Sequence, residues 1–366
     1  MQIELAREDL LKPMGVVAGV VERRQTLPIL SYVLLRSAGQ DLTLTGTDLE
    51  VEVVAHVPAR IKGEVALTLP ARKLFDICRA LPEGTDITIA KQGEKVVTKA
   101  GKSRFTLLTL PATDFPAVEA GSFEQALTLS QDEAKRLLDR TAFCMAQQDV
   151  RYYLNGLYLE MGGKRIRAVA TDGHRMAMSD LALEKEAGGE RQVIVPRKGI
   201  QELSRLLSYT EDEVKIEIGA SHLRARCADV TFTSKLIDGK FPDYTKVIPS
   251  SQTKSATIPR DAFREALGRV AILANEKYRG VRLAFQPGRL AMSAHNPEQE
   301  EAVEELEVEF RGEALEIGFN VTYLMEAVGA INASEVVIGG NDSNSSCVLH
   351  APGDEATRYI IMPMRL

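Results

Sequence analysis

The stretch VATDGHRMAMS, residues 169–179, reads as a short strand, an acidic Asp-Gly turn and a second alternating strand. An Asp-Gly pair between alternating apolar runs signals a hairpin, because glycine accepts the positive φ that such turns demand. The chain repeats this pattern. LTLTGTDLEVEV (42–53) sets Thr47-Asp48 between two alternating runs, and LAMSAHNPEQEEAVEEL (290–306) sets His295-Asn296 at the matching place. Asp48, Asp172 and Asn296 each stand 124 positions apart, which predicts an internal repeat within the 366 residues.

The flanks repeat as well. Each copy opens with a strand and an amphipathic helix. Leu10, Leu11, Met14, Val17 and Val21 fall at helical spacing in the first, with Pro13 expected in the opening turn. Ser130 and Glu133 form a capping-box pattern before Leu137, Leu138 and Thr141 in the second, and Pro259 precedes Phe263, Leu267 and Val270 in the third. A second helix follows a strand in VALTLPARKLFDICRAL (65–81), QVIVPRKGIQELSRLL (192–207) and LEIGFNVTYLMEAVGAI (315–331). At Pro70, Pro196 and Asn320 the apolar period changes from two to about three and a half. Further strands close each copy; Phe115-Pro116 and Phe241-Pro242 echo one another, and Met362-Pro363 does so faintly. The expected class is α+β, with antiparallel sheets and two helices per domain. Three similar domains are expected over 1–122, 123–250 and 251–366, since polar, turn-rich joints lie near 120–127 and 249–255.

Composition limits the function. Hydrophobic content of 45% and charged content of 26% are those of a globular protein. No segment resembles a signal peptide or a membrane span, so a cytoplasmic protein with no membrane contact is expected, and sequons at Asn320, Asn332, Asn341 and Asn344 carry no meaning there. Cys78, Cys144, Cys227 and Cys347 are scattered without a CxxC pair, which predicts buried thiols and neither a metal site nor a disulfide framework. A net charge of −6 argues against a chain that grips nucleic acid over its whole surface. Five of the six helical windows are nevertheless net basic, the arrangement of a chain that draws phosphates to one face. Glu298, Glu300, Glu301, Glu304, Glu305, Glu307 and Glu309 crowd the third copy, while Lys73, Lys95, Lys99, Lys102 and Arg104 crowd the first. An acidic end meeting a basic end predicts head-to-tail association, which closes into a ring when the rotation permits.

Catalytic motifs are missing. GKS at 101–103 resembles the end of a phosphate loop, but Val96 stands where that motif needs glycine. His174, beside Asp172 and Arg175, is the best candidate base, yet no nucleophile motif accompanies it. No catalytic residue, metal or cofactor is expected.

Several longer strings carry a resemblance. TLPIL (26–30), LTGTDLE (44–50), PARKLFDICRALPEG (70–84), MAQQDVRYYLNG (145–156), ATDGHR (170–175), VPRKG (195–199), SKLIDGKFPDY (234–244), NEKYRGVRL (275–283), AHNPEQEE (294–301) and MPMRL (362–366) closely resemble the bacterial sliding clamps, the beta subunits of DNA polymerase III. The likeness runs from end to end. It implies a non-catalytic homodimeric ring with helices lining a central hole and sheets outside. Duplex DNA would thread the hole without sequence reading. A clamp loader would open it, and the replicative polymerase alpha subunit, other polymerases and repair proteins would bind through short peptide motifs.

The same resemblance assigns residues. DNA contacts fall on Arg24, Arg72, Gln148, Tyr152 and Tyr153, with Lys198 a further phosphate contact. A partner-peptide cleft falls on Leu154, Thr171, Gly173, His174, Arg175 and Met176, then Pro242, Lys246 and Val247. It continues through Asn320, Tyr323, Asn344 and Ser346 to Ile360, Ile361, Met362, Pro363, Met364, Arg365 and Leu366. Its apolar lining suits a short peptide ending in Leu-Phe, and its methionines suit many partners. Asn344, where relatives carry an apolar residue, and Lys246, where they carry Arg, are expected to retune which peptides bind. The dimer interface falls on Phe105 and Leu107 facing Ile272 and Leu273.

Overall fold

The computed structural model describes residues 1–21, 27–118 and 121–365. Two compact units emerge, Met1–Lys135 with Lys198–Leu236 and Arg136–Arg197 with Ile237–Leu366. Six α-helices occur among the described residues: α1 (Arg7–Val20), α2 (Ala71–Ala80), α3 (Gln131–Asp139), α4 (Arg197–Leu206), α5 (Arg260–Val270) and α6 (Val321–Ala330). Helices α2, α4 and α6 begin where the shift of apolar period placed them, and α1, α3 and α5 fall on the amphipathic stretches that open each copy. None is long and apolar enough to cross a membrane.

The first unit holds two antiparallel sheets, one of five strands and one of eight. Within the eight-stranded sheet Val230–Lys235 pairs with Val51–Pro58, Val230 opposite Ala55, which joins the first and second repeats through backbone hydrogen bonds. In the second unit Arg175–Ala182 pairs with Thr357–Ile361 inside a twelve-stranded sheet, which joins the second repeat to the third. Alternation in the sequence becomes alternation in burial: Val51, Val53, Ala55 and Val57 are all buried, with Glu52, Val54 and His56 between them more open.

The turn that repeats is closed by its own side chains. Thr47 Oγ1 donates to the Val51 carbonyl at 2.8 Å, and Asp48 Oδ1 accepts from the backbone of Glu50 and Val51. Thr171 Oγ1 donates to the Arg175 carbonyl at 2.6 Å, and Asp172 Oδ1 accepts from His174 and Arg175. The third copy has a longer loop, in which Asn296 Oδ1 accepts from Glu300. Gly173 takes φ of 88°, as Asp-Gly predicts, but the matching Leu49 holds 79° without that freedom. The flanking strands pair at Thr171 and Met176, so four residues make the connection and the Asx bonds shape it.

Other local signals agree. Ser130 and Glu133 exchange the two hydrogen bonds of a capping box, at 2.9 and 3.2 Å. Asn320 caps α6, its side chain accepting from Thr322 and Tyr323. Pro13 differs from expectation. It lies inside α1 and not in its opening turn. The helix starts at Arg7 and tolerates the missing donor because Leu10, Met14 and Val17 are fully buried on one face.

All four cysteines are buried and free. Burial pushes the Cys78 and Cys227 thiols up to about 11 and Cys347 up to about 12, and raises Cys144 further still. The helix α1 rests on the strand Asp41–Thr47 through Gly46, where a Cβ would come within 2.7 Å of Val17 Cγ1 and 2.9 Å of its carbonyl oxygen. Because a backbone atom cannot step aside as a side chain can, Gly46→Ala is expected to destabilise the protein by about 2 kcal/mol. A urea midpoint unchanged from the parent would contradict this packing.

Candidate functional site

Strand alternation and one short helical turn build a cavity in the second unit. The 3-10 turn Tyr152–Leu154 brings Tyr153 and Leu154 to one wall, and the repeated hairpin supplies Thr171, Gly173, Arg175 and Met176. Pro242, Asp243, Tyr244 and Val247 form a second wall, and Ile360 and Met362 close the floor around roughly 170 Å³. The cavity stands on an apolar cluster that includes Leu154, Tyr158, Met176, Phe241, Tyr244 and Ile360. Tyr158 stacks on Phe241 with ring centroids 4.7 Å apart, which fixes the segment that carries Pro242.

Charged groups brace the walls without filling the space. The Arg175 side chain is only 9% exposed. Its Nε donates to Asp172 Oδ2 at 3.1 Å, one terminal nitrogen to the Phe143 carbonyl at 2.9 Å, and the other to Glu326. Its face lies 4.4 Å from the Tyr323 ring centroid. Burial opposes this charge, but the Glu326 and Asp172 carboxylates hold the guanidinium pKa above its ordinary value. Burial, with Asp172 second, raises the Tyr323 phenol. On the opposite wall Tyr244 donates to Glu160 at 3.2 Å and accepts from Arg167, which itself chelates Asp180 at 2.5 and 2.7 Å. At the mouth Arg151 donates twice to Asp149, at 3.0 and 2.8 Å, and these bonds hold the Asp149 carboxyl down at about 2. The result is an apolar socket with a polar rim, suited to apolar side chains on an extended peptide.

The structure gathers Leu154, Thr171, Gly173, Arg175, Met176, Pro242, Val247, Ile360 and Met362 around the cavity. Others of the expected cleft stand apart from its lining. His174 is exposed, and its backbone is held at both ends, the amide donating to Asp172 Oδ1 and the carbonyl accepting from the Met362 amide. Lys246 is exposed and pairs with Asp243 at 3.2 Å. Asn320 caps α6, Tyr323 lies beneath Arg175, and the Asn344 amide closes a loop on Asp342 at 2.8 Å, with Ser346 just beyond. Ile361 is buried and stands outside the lining, since neighbours on a strand face opposite ways and Ile360 takes the cavity side. Met364 and Arg365 line a different groove, Pro363 lies between the two, and Leu366 falls outside the described residues. Sequence reading missed Arg151, Asp243 and Tyr244 as lining, although FPDY held two of them.

The expected DNA contacts are scattered differently. Arg24 lies outside the described residues. Arg72, on α2, donates to the Val21 carbonyl at 2.9 Å. Gln148 is exposed with φ of 56°, and Tyr152, 55% exposed, meets Tyr153 edge to face at 5.8 Å. Tyr153 also lines the cavity, so one turn serves both assignments. Lys198 forms an ion pair with the nearly buried Asp48. Of the expected interface residues, Phe105 and Leu107 are half-buried on the open outer strand Ser103–Leu108 of the five-stranded sheet. Ile272 is 76% exposed, beside half-buried Leu273, on the 3-10 turn Ala271–Leu273. Among the described residues no cluster of His, Cys, Asp or Glu is placed to hold a metal ion.

Comparison with known proteins accounts for the whole chain. Residues 1–119, 128–243 and 245–365 match the N-terminal, central and C-terminal domains of the DNA polymerase III beta subunit. The chain is 53% identical to the beta sliding clamp of Pseudomonas aeruginosa and 46% identical to that of Escherichia coli, each over the full length of both proteins. The crystal structure of the Pseudomonas aeruginosa DNA polymerase III subunit beta is similar with a TM-score of 0.97 at 53% identity, covering all of both chains. A sliding clamp from the same organism bound to griselimycin gives 0.96, again at 53% identity over both full lengths. With three domain models matched in order and identity sustained throughout, the chain belongs to the DNA polymerase III beta subunit family, the bacterial beta sliding clamps.

Proposed function

We propose that the protein works as a replication clamp: two copies associate head to tail into a ring around duplex DNA and tether the replicative polymerase and other partners. The observation that carries this reading is the unbroken order of three clamp domains along a chain that repeats one unit three times. The ring has no chemistry of its own in this reading, acts in the cytoplasm and needs a clamp loader to open it. Domains over 1–122, 123–250 and 251–366 follow the repeat.

Arg72, Gln148, Tyr152 and Tyr153, with Arg24, serve as DNA contacts. An anchored guanidinium, an amide and two phenols meet backbone oxygens or an unstacked base and read no sequence, as sliding demands. The cavity at Leu154, Met176, Pro242 and Met362 receives the apolar end of a partner peptide. Its apolar floor supports this, and a relative of the same fold is known bound to griselimycin. Asn344 and Lys246, on the periphery, tune preference among peptides. The open strand at Phe105 and Leu107 meets Ile272 and Leu273 of a second copy, and the Lys95–Arg104 cations face the Glu301–Glu309 carboxylates. A small apolar centre with an ionic rim gives a joint that a loader can part.

Protein loaded with ATP and a bacterial clamp loader is expected to stay on closed circular DNA at high salt and to leave linearised DNA. Equal loss from both would mean electrostatic binding and would overturn the ring. Leu273→Ala is expected to shift the protein toward monomer in sedimentation velocity; an unchanged dimer constant would remove Leu273 from the interface. Met362→Glu sets a charge at the cavity floor and is expected to weaken a peptide ending in Leu-Phe at least tenfold, read by fluorescence anisotropy.

A further inference from the structure

Within MAQQDVRYYLNG, Asn155 stands outside the cavity lining and outside the proposed DNA contacts. Its backbone is fixed. It precedes the strand Gly156–Gly162, and its carbonyl accepts from the Arg197 amide at 2.9 Å. Its side chain reaches back six residues, Oδ1 accepting from the Asp149 amide at 3.0 Å and Nδ2 donating to the Asp149 carbonyl at 2.9 Å. One planar amide, donor and acceptor together, thus meets both backbone groups of a single residue, as a neighbouring strand would. Residues 149–155 are closed into a loop by that clasp.

The loop faces two ways. Arg151, Tyr153 and Leu154 line the cavity, while Tyr152 and the adjoining Gln148 are exposed. Gln148 holds φ of 56°, a left-handed backbone that persists only where its surroundings impose it, and the next amide along is the one that Asn155 Oδ1 takes. Asp149 carries the constraint inward. Its carboxylate accepts from the Arg151 amide at 2.8 Å, from Nε at 3.0 Å and from Nη2 at 2.8 Å. Arg151 is thereby laid over Gly173, where a Cβ would come within 2.9 Å of Nη2, and donates to the Asp172 carbonyl at 3.3 Å.

The other copies secure this turn differently. The turn itself recurs, since the Leu154 amide donates to the Arg151 carbonyl as the Leu30 amide does to Leu27. Ser31, 124 positions before Asn155, donates its hydroxyl to the Pro28 carbonyl at 2.7 Å, inside the turn. In the third copy Asn275 does the work, its Oδ1 accepting from the Lys277 and Tyr278 amides. Among the described residues the long clasp belongs to the copy that carries both the cavity and Tyr152. We infer that Asn155 is a positioning residue for both sites: it holds the segment that turns Gln148 and Tyr152 outward toward DNA and seats Arg151 at the peptide cavity. The inference rests on the clamp reading, from which both sites come.

The test uses the full-length protein, a fluorescent short peptide ending in Leu-Phe and a fluorescent DNA duplex at low salt. Asn155→Asp keeps the shape and the acceptor but sets an oxygen against the Asp149 carbonyl, and Asn155→Ala removes both bonds. Each is expected to weaken the peptide and the duplex about fivefold, the scale of one hydrogen bond's net contribution. Gly46→Ala, which lowers stability in the other unit, is expected to leave both affinities at the parent's values. In an Arg151→Ala background the peptide loss from Asn155→Asp is expected to fall below about twofold, because the two residues act in series. Parental affinities in both Asn155 variants, or a loss that Gly46→Ala reproduces, would overturn the inference. So would an undiminished peptide loss in the Arg151→Ala background, a duplex loss confined to the newly charged Asn155→Asp, or Asn155 variants that no longer unfold cooperatively. Failure of the parent protein to bind peptide or duplex would instead overturn the reading of those sites, and the inference with it.

Discussion

A buried guanidinium is expensive unless its nitrogens find acceptors, and each nitrogen of Arg175 finds one. Asp172 and the Phe143 carbonyl take its in-plane donors together with Glu326, and Tyr323 covers one flat side. Removing one partner from such a cluster costs about 3–5 kcal/mol, because the remaining charge stays out of water. The cluster ties the hairpin of the second repeat to α6 of the third. Met176, next along the strand, is thereby held against Ile360, and the apolar floor exists only while that register holds. A lysine would supply charge but not the planar fork that reaches three acceptors at once.

The repeated turn shows how one skeleton carries different tasks. Thr and Asp side chains close it on its own backbone in the first two copies, so the loop needs nothing from its neighbours. Outward groups are then free to diverge. Asp48 holds Lys198 of α4, Asp172 holds Arg175, and Asn296 turns to Glu300. Leu49 keeps the left-handed backbone that Gly173 takes without strain, which shows that the side-chain bonds, and not glycine alone, impose the shape.

Local chemistry was legible in the sequence wherever one short segment decides the outcome. The capping box at Ser130 and Glu133, the cap at Asn320 and the hairpin at Asp172 are of that kind. Pro13 misled because the packing of Leu10, Met14 and Val17 outweighs one missing donor. A string of residues says nothing of facing, and of the neighbours Ile360 and Ile361 only Ile360 turns to the cavity. Tyr244 entered the wall through partners on Arg167 and Glu160, far away in the chain, and no nearby spacing announces such a contact.

The buried cysteines have a practical consequence. At neutral pH a thiol held near 11 is ionised in about one molecule in ten thousand, and the thiolate is the species that alkylating reagents attack. Cys144 and Cys347, raised further, are more inert again. The folded chain is thus a natural blank for maleimide chemistry. A single cysteine introduced on the surface would take a dye or spin label selectively, without first stripping the native four.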